Sequence, residues 1–274
     1  MKPRNAFTLI ELLVVVAIIA LLLSIVLPSL RLAKRKAQTM MCKSNLRQWH
    51  IVFKMYTQEF NERFNEGWAG QAQKSNWWMD AGRQYYGNVA EIRCCPTATL
   101  PVNDLQGNAN KGPGAGKQPF AAWGYSPGFF KDREDYGSYG MNGWIEDKPD
   151  EWVSDVQQRK KYWRTIIVPN PAQIPLITDA QWIDGWPEPT DSPPPFVNTI
   201  WNESGTSHFW RFVQNRHNNQ QNMAYFDGSV NTIGLKKLWT LKWHRQFNTG
   251  GPWTLAGGAA SAKWPAWMKN LQEF

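Results

Sequence analysis

Three sets of residues carry chemistry by type and spacing. The first is His217, nine intervening residues and then Asp227-Gly228, in the run RHNNQQNMAYFDGSV. With Asp179, Asp227 or another acid, the imidazole could form a site for a cation or a partner. Alternatively it ties the loop that enters a strand to the sheet, while Asp227-Gly228 makes the turn. The second reading is the favoured one. The second set is Cys42, Cys94 and Cys95, which allows at most one disulfide or else leaves three buried thiols. Metal ligation is poorly supported, because neither a Cys-x-x-Cys pair nor a His at ligand spacing accompanies them. The third is Glu11, the single charge in the apolar run Phe7 to Leu27. No nucleophile elbow or Cys-catalytic signature stands beside His50, His208, His217 or His244, so no enzyme is expected. The acidic spacing does not match an EF-hand loop, which leaves calcium a candidate ion without nameable ligands and no other cofactor expected.

The elements that must position these residues begin with that apolar run. Its 21 residues would form a helix roughly 31 Å long, enough to cross a hydrocarbon core. A secretory signal needs small residues after the run, yet Pro28, Ser29, Leu30 and Arg31 follow. A plain anchor explains the length but not a carboxylate near the start of the span, which costs up to about 2.5–3.5 kcal/mol at depth and calls for a partner.

Ala6-Phe7-Thr8-Leu9-Ile10-Glu11-Leu12-Leu13 resembles the processing site of type IV prepilins and type II secretion pseudopilins. The resemblance implies a cut between Ala6 and Phe7 by a prepilin peptidase, acting from the cytoplasmic side, and methylation of the new amine. Ala6 departs from the family's usual glycine. Glu11 would then neutralise the N-terminal amine of a neighbouring subunit, and Pro28 sits where such helices carry a proline. The expected location is the bacterial inner membrane, single-pass, with a periplasmic head that can reach the cell surface after assembly. One feature opposes this orientation. Arg31, Lys34, Arg35 and Lys36 outnumber Lys2 and Arg4, and that bias alone predicts the inverse topology.

After Pro28 the chain reads as continuing helix to residue 61. Cys42, Leu46, Trp49, Phe53, Tyr56 and Phe60 form one apolar stripe at alternating spacings of three and four, the seam on which a head would pack. Lys36, Lys43, Arg47 and Lys54 occupy the opposite face. The segment MCKSNLRQ and the later Cys95-Pro96-Thr97 resemble cysteine-bearing elements of a pilin-like family, which implies a Cys42–Cys95 disulfide. His217-x9-Asp227-Gly228 likewise resembles the H-X9-DG prepilin-type proteins of Planctomycetes, Verrucomicrobia and Lentisphaerae, as do GSYGMNGW and IPLITDA.

The organisation expected is a leader over 1–6, a helix over 7–61 (membrane-spanning to 27, amphipathic beyond) and a globular head over 62–274. Strands are expected at Tyr136–Ile145, Ile174–Thr178, Asn222–Phe226 and Val230–Ile233, the last two joined by Asp227-Gly228-Ser229. A long helix packed on a small antiparallel sheet with long irregular loops is an α+β, pilin-like architecture. LKKLWTLKWHRQF reads as a short helix, and the stretch after it as an irregular wrap.

The net charge of +8 does not mark a nucleic-acid partner. Residues 1–58 carry nine Lys or Arg against one acid, whereas residues 59–274 balance 21 against 21. The head's 16 of 17 tryptophans either pin long loops onto the sheet or offer stacking platforms for polysaccharide. Packing is the favoured reading. The function expected is a filament subunit contacting lipid, prepilin peptidase and other pilin or pseudopilin subunits, with a membrane-tethered glycan-binding module as the alternative.

Overall fold

The computed structural model describes residues 9–68, 76–87, 89–99, 120, 122–124, 135–197 and 207–274. Helix α1 runs unbroken from Leu9 to Glu59, through Pro28. Every residue from Leu9 to Ala37 on it is exposed, and these 29 residues extend about 43 Å beyond the head. The part that packs starts beyond this, with Cys42, Leu46, Trp49, Phe53 and Tyr56 buried as their spacing predicts, joined by His50, Val52 and Thr57. Phe60, the last residue of the expected stripe, is 44% exposed. The reason is local. Asn61 and Glu62 take positive φ (53° and 62°), which turns the chain out of the helix before Phe60 can reach the core. Phe60 instead stacks on Tyr56 with ring centroids 4.4 Å apart.

Beyond the helix the described residues form seven strands: β1 (Trp123–Gly124), β2 (Tyr136–Gly137), β3 (Tyr139–Asn142), β4 (Pro175–Asp179), β5 (Asp184–Gly185), β6 (Gln220–Tyr225) and β7 (Val230–Gly234). Strands β1 and β2 make a separate two-stranded ribbon; the other five form one sheet in the order β5-β3-β4-β6-β7. The sheet is mixed rather than wholly antiparallel, because the two-residue edge strand β5 pairs parallel to β3. All five residues of β4 are buried, as expected for a central strand with a packed layer on each face. The expected strand over 136–145 is broken into β2, β3 and a 3₁₀ turn at Gly143–Ile145, held by Asn142 accepting from the Trp144 amide at 3.1 Å. The hairpin β6–β7 turns at Asp227-Gly228-Ser229. The helix expected near residue 235 is a 3₁₀ helix, Leu235–Thr240.

One hydrophobic core joins the stem (Cys42, Leu46, Trp49, Phe53), the sheet and the C-terminal wrap as far as Met268. The described residues of the head are poor in regular structure, and tryptophan supplies what ladders do not. None of the 16 described tryptophans is exposed. Many of their indole N–H groups donate to backbone carbonyls, among them Trp49 to Ile92 O (2.6 Å), Trp78 to Ile183 O (2.7 Å), Trp144 to Pro187 O (2.9 Å), Trp239 to Asp191 O (2.8 Å) and Trp267 to Pro194 O (2.8 Å). Each such contact buries a large ring and gives its N–H a carbonyl partner. Trp201 and the loop Asn108–Pro119 lie outside the described residues.

Candidate functional site

Where α1 meets the sheet, four chain segments converge. Cys42 comes from the buried face of α1, Cys95 from the bend after a 3₁₀ turn at Ala90–Arg93, Asp179 from the end of β4, and His217 from the loop entering β6. One ligand-type atom from each lies within 4.8 Å of all the others, and all four residues are buried. His217 Nε2 is 3.3 Å from Asp179 Oδ2 and 3.4 Å from Cys95 Sγ. Cys42 Sγ is 3.8 Å from Asp179 Oδ1. The other ring nitrogen, Nδ1, is 3.1 Å from the Thr39 hydroxyl. Asp179 also accepts from the Asn222 amide at 3.0 Å and pairs with fully buried Arg216 at 3.3 Å. Arg216 in turn donates to the carbonyls of Ala180 (2.8 Å) and Ser138. Hydroxyls cover both sulfurs, with Tyr139 donating to Cys42 Sγ at 3.3 Å and Thr97 Oγ1 3.1 Å from Cys95 Sγ.

The electrostatics follow from that crowding. Burial alone would raise the Asp179 carboxyl, but His217, Arg216 and the Asn222 amide hold it below its ordinary value. Burial lowers the His217 imidazole, and Asp179 with Cys95 outweighs it, raising the ring to about 10. Burial lifts the Cys42 thiol well above its usual range. For Cys95, burial is outweighed by hydrogen bonds from Cys42 and His217 and by the Arg216 charge, so its thiol is drawn down. Cys94 is buried outside this cluster, its thiol pushed up to about 12 by desolvation.

Two chemical readings can be separated. A cysteine-type catalytic triad uses one ring nitrogen for the nucleophile and the other for the orienting acid. Here both Cys95 and Asp179 approach Nε2, and Nδ1 faces Thr39. The set is convergent on one point and roofed by the stem, which is ligand geometry and not a proton relay. Cys42, Cys94 and Cys95 are free thiols in the structure. The sulfurs that the family resemblance pairs are thus neighbours within the same cluster.

Asp227 and Gly228 sit at the far end of β6. Asp227 Oδ1 accepts from the Ser229 amide (2.9 Å) and hydroxyl (2.7 Å), closing the turn. Gly228 has φ +82°, and a Cβ there would lie 2.6 Å from His50 Cε1. Arg47, on the basic face opposite the apolar stripe, donates to Gly228 O, and His50 Nε2 lies 3.2 Å from Phe226 O. His217 therefore fastens one end of β6 to Thr39, and the turn fastens the other to Arg47 and His50. The spacing has a geometric reason. Eleven helical steps from Thr39 to His50 cover about 16 Å, and the five steps of Gln220–Tyr225 cover about 17 Å.

The expected assembly residues lie elsewhere. Glu11 and Pro28 are on the exposed part of α1, and Ala6 and Phe7 lie outside the described residues. Of the residues now seen to converge, the sequence singled out Cys42 with Cys95, and His217 with Asp179 as one option. Their union was missed, since Cys42 and Asp179 stand 137 positions apart in the chain and Cys95 and His217 stand 122 apart. The available signal was that each pair left a buried polar group needing partners.

Residues 1–27 match the family model described as the prokaryotic N-terminal methylation motif, a type IV pilin-like signal. The motif implies processing by a prepilin peptidase and assembly with other pilin subunits, and a structural subunit more than an enzyme. The apolar helix behind it is long enough to cross a membrane and fits a membrane anchor. Comparison with curated proteins and with solved structures gave no match.

Proposed function

We propose that the chain is a structural pilin or pseudopilin subunit, cut between Ala6 and Phe7, methylated at the new amine, and polymerised through α1 into a type IV pilus or type II secretion filament. One observation carries the reading. The methylation motif over residues 1–27 leads into a helix whose first 29 described residues lie clear of the head, with large apolar side chains exposed all along Leu9–Leu32. Such a surface must be covered by lipid, by neighbouring helices, or by both in succession. Within a bundle of these helices Glu11 meets the methylated amine of an adjacent subunit. That contact sets the axial stagger while satisfying two charges in a low-dielectric setting. The head lies on the periplasmic side. The His217-x9-Asp227-Gly228 clamp supports placing the chain with the H-X9-DG prepilin-type proteins. The glycan-binding alternative has little to draw on, because the described tryptophans are packed into the head.

Mass spectrometry of the chain extracted from its native membrane tests the processing. The expected N-terminus is methylated Phe7, and an intact Met1 overturns the filament reading. Glu11→Ala tests assembly. The variant is expected to keep a folded head yet fail to enter filaments, and filaments at wild-type yield would remove Glu11 from the mechanism.

A further inference from the structure

We propose that Cys42, Cys95, Asp179 and His217 form a closed, four-coordinate zinc site that clasps the stem helix to the head. The donor set is two thiolates, one imidazole and one carboxylate, a combination that suits zinc and disfavours the all-oxygen preference of calcium or magnesium. The spacing agrees with the geometry. For tetrahedral zinc with Zn–S near 2.3 Å and Zn–N or Zn–O near 2.0–2.1 Å, the ligand atoms stand about 3.4 Å apart for N···O and about 3.5–3.6 Å for S···N or S···O. The corresponding distances are 3.3 Å (His217 Nε2 to Asp179 Oδ2), 3.4 Å (Cys95 Sγ to His217 Nε2) and 4.0 Å (Cys42 Sγ to the same Oδ2), so only the Cys42 sulfur must draw in, by about 0.4 Å.

The surroundings are those of a ligand shell. His217 presents Nε2 to the centre because Nδ1 is engaged by Thr39, the arrangement that fixes tautomer and ring orientation at metal sites. Tyr139 and Thr97 offer hydroxyls to the two sulfurs. Charge also closes: zinc with two thiolates and a carboxylate is formally −1, and Arg216 against Asp179 supplies the compensating cation. All four ligands are buried and all four positions are filled by protein, so the site has no open coordination position and is structural. Binding displaces to solvent the proton on His217 Nε2 together with any remaining thiol protons. The ion joins the stem and the bend at Cys95 to β4 and the entry of β6, adding a tie from the helix to strands already paired in the sheet.

The test uses the full-length chain, solubilised from membranes in detergent without chelator. Elemental analysis is expected to find a single zinc per chain. After unfolding in chelator, all three cysteines should react with a thiol reagent. Cobalt exchanged into the wild-type protein should show tetrahedral d–d bands and thiolate-to-metal charge transfer. Thr39→Val removes only the hydroxyl on Nδ1 and is expected to weaken zinc about 10- to 100-fold against a chromophoric competitor. Cys94→Ser should leave affinity unchanged. A Cys42–Cys95 disulfide in the native chain, in place of metal, overturns the proposal. So do free thiols that fail to take up added zinc or cobalt, and a metal whose spectrum lacks thiolate charge transfer.

Discussion

Replacing Gly228 with alanine tests whether the β6–β7 turn is docked on the stem or merely shaped by its own backbone. Two costs are superimposed at this position. With φ +82°, any L side chain is strained, at about 1–2 kcal/mol. In addition, the new methyl would sit 2.6 Å from His50 Cε1, 2.9 Å from its Nδ1 and 3.0 Å from Arg47 Nη1. Forcing a methyl into an occupied interface adds about 1–3 kcal/mol. Gly87 is the internal control, since it has φ +61° and an added Cβ meets no heavy atom within 4 Å. Gly87→Ala should therefore lose only the backbone share, and Gly228→Ala about 1–3 kcal/mol more. Urea unfolding of the detergent-solubilised chain, followed by its tryptophan fluorescence, measures both. His50→Ala in the Gly228→Ala background should recover part of the excess, appearing as a coupling in the double-mutant cycle. Equal losses at the two glycines, or a cycle with no coupling, would refute the docking of the turn on the stem.

Two further outcomes follow from packing and from charge. Trp49 is fully buried, edge-on to Trp78 at 4.5 Å and donating to Ile92 O, so Trp49→Ala should cost about 3–5 kcal/mol in the same assay. Trp49→Phe, which leaves the Ile92 carbonyl unmet, should cost about 1–3 kcal/mol. His208 is held at about 3 against its ordinary 6.5, first by burial and then by the Arg211 charge, with Glu188 opposing. The unfolded chain thus binds a proton there that the folded one refuses, so this residue makes stability fall as pH drops from 6.5 towards 3. The Asp191 carboxylate, which accepts from the His208 amide at 2.9 Å, is itself raised to about 6 by burial and acts in the opposite sense between 3.8 and 6. His208→Asn should consequently lower the midpoint of acid unfolding, and an unchanged midpoint would show that the ring titrates freely in the fold.

Local signals made the helix and the hairpin legible. The alternating three-and-four spacing from Cys42 to Tyr56 named the buried face, because helical period is written in consecutive residues. Asp227-Gly228-Ser229 named the turn, because only its glycine takes the required φ easily. The same logic failed where the outcome depended on distant chain. Phe60 left the stripe because of two positive-φ residues after the helix, which no periodicity reports. The parallel edge strand β5 is two residues long, too short for any pattern. The four-residue cluster has no compact spacing, since its members come from a helix, a bend, a strand end and a loop. Tryptophan's role was ambiguous in sequence for a plain reason: ring stacking on a sugar and ring packing on a loop ask for the same residue.

The two fastenings at the ends of β6 have a mechanical consequence. The strand lies along the stem in the same sense as α1, with Thr39 at one end and Arg47 and His50 at the other. A pull along the helix axis therefore loads the interface in shear. Both clamps and the buried face between them must yield together, whereas a peeling force would break them one after another. Tension transmitted along α1 would then be spread over the whole length of β6 and not concentrated on any single contact.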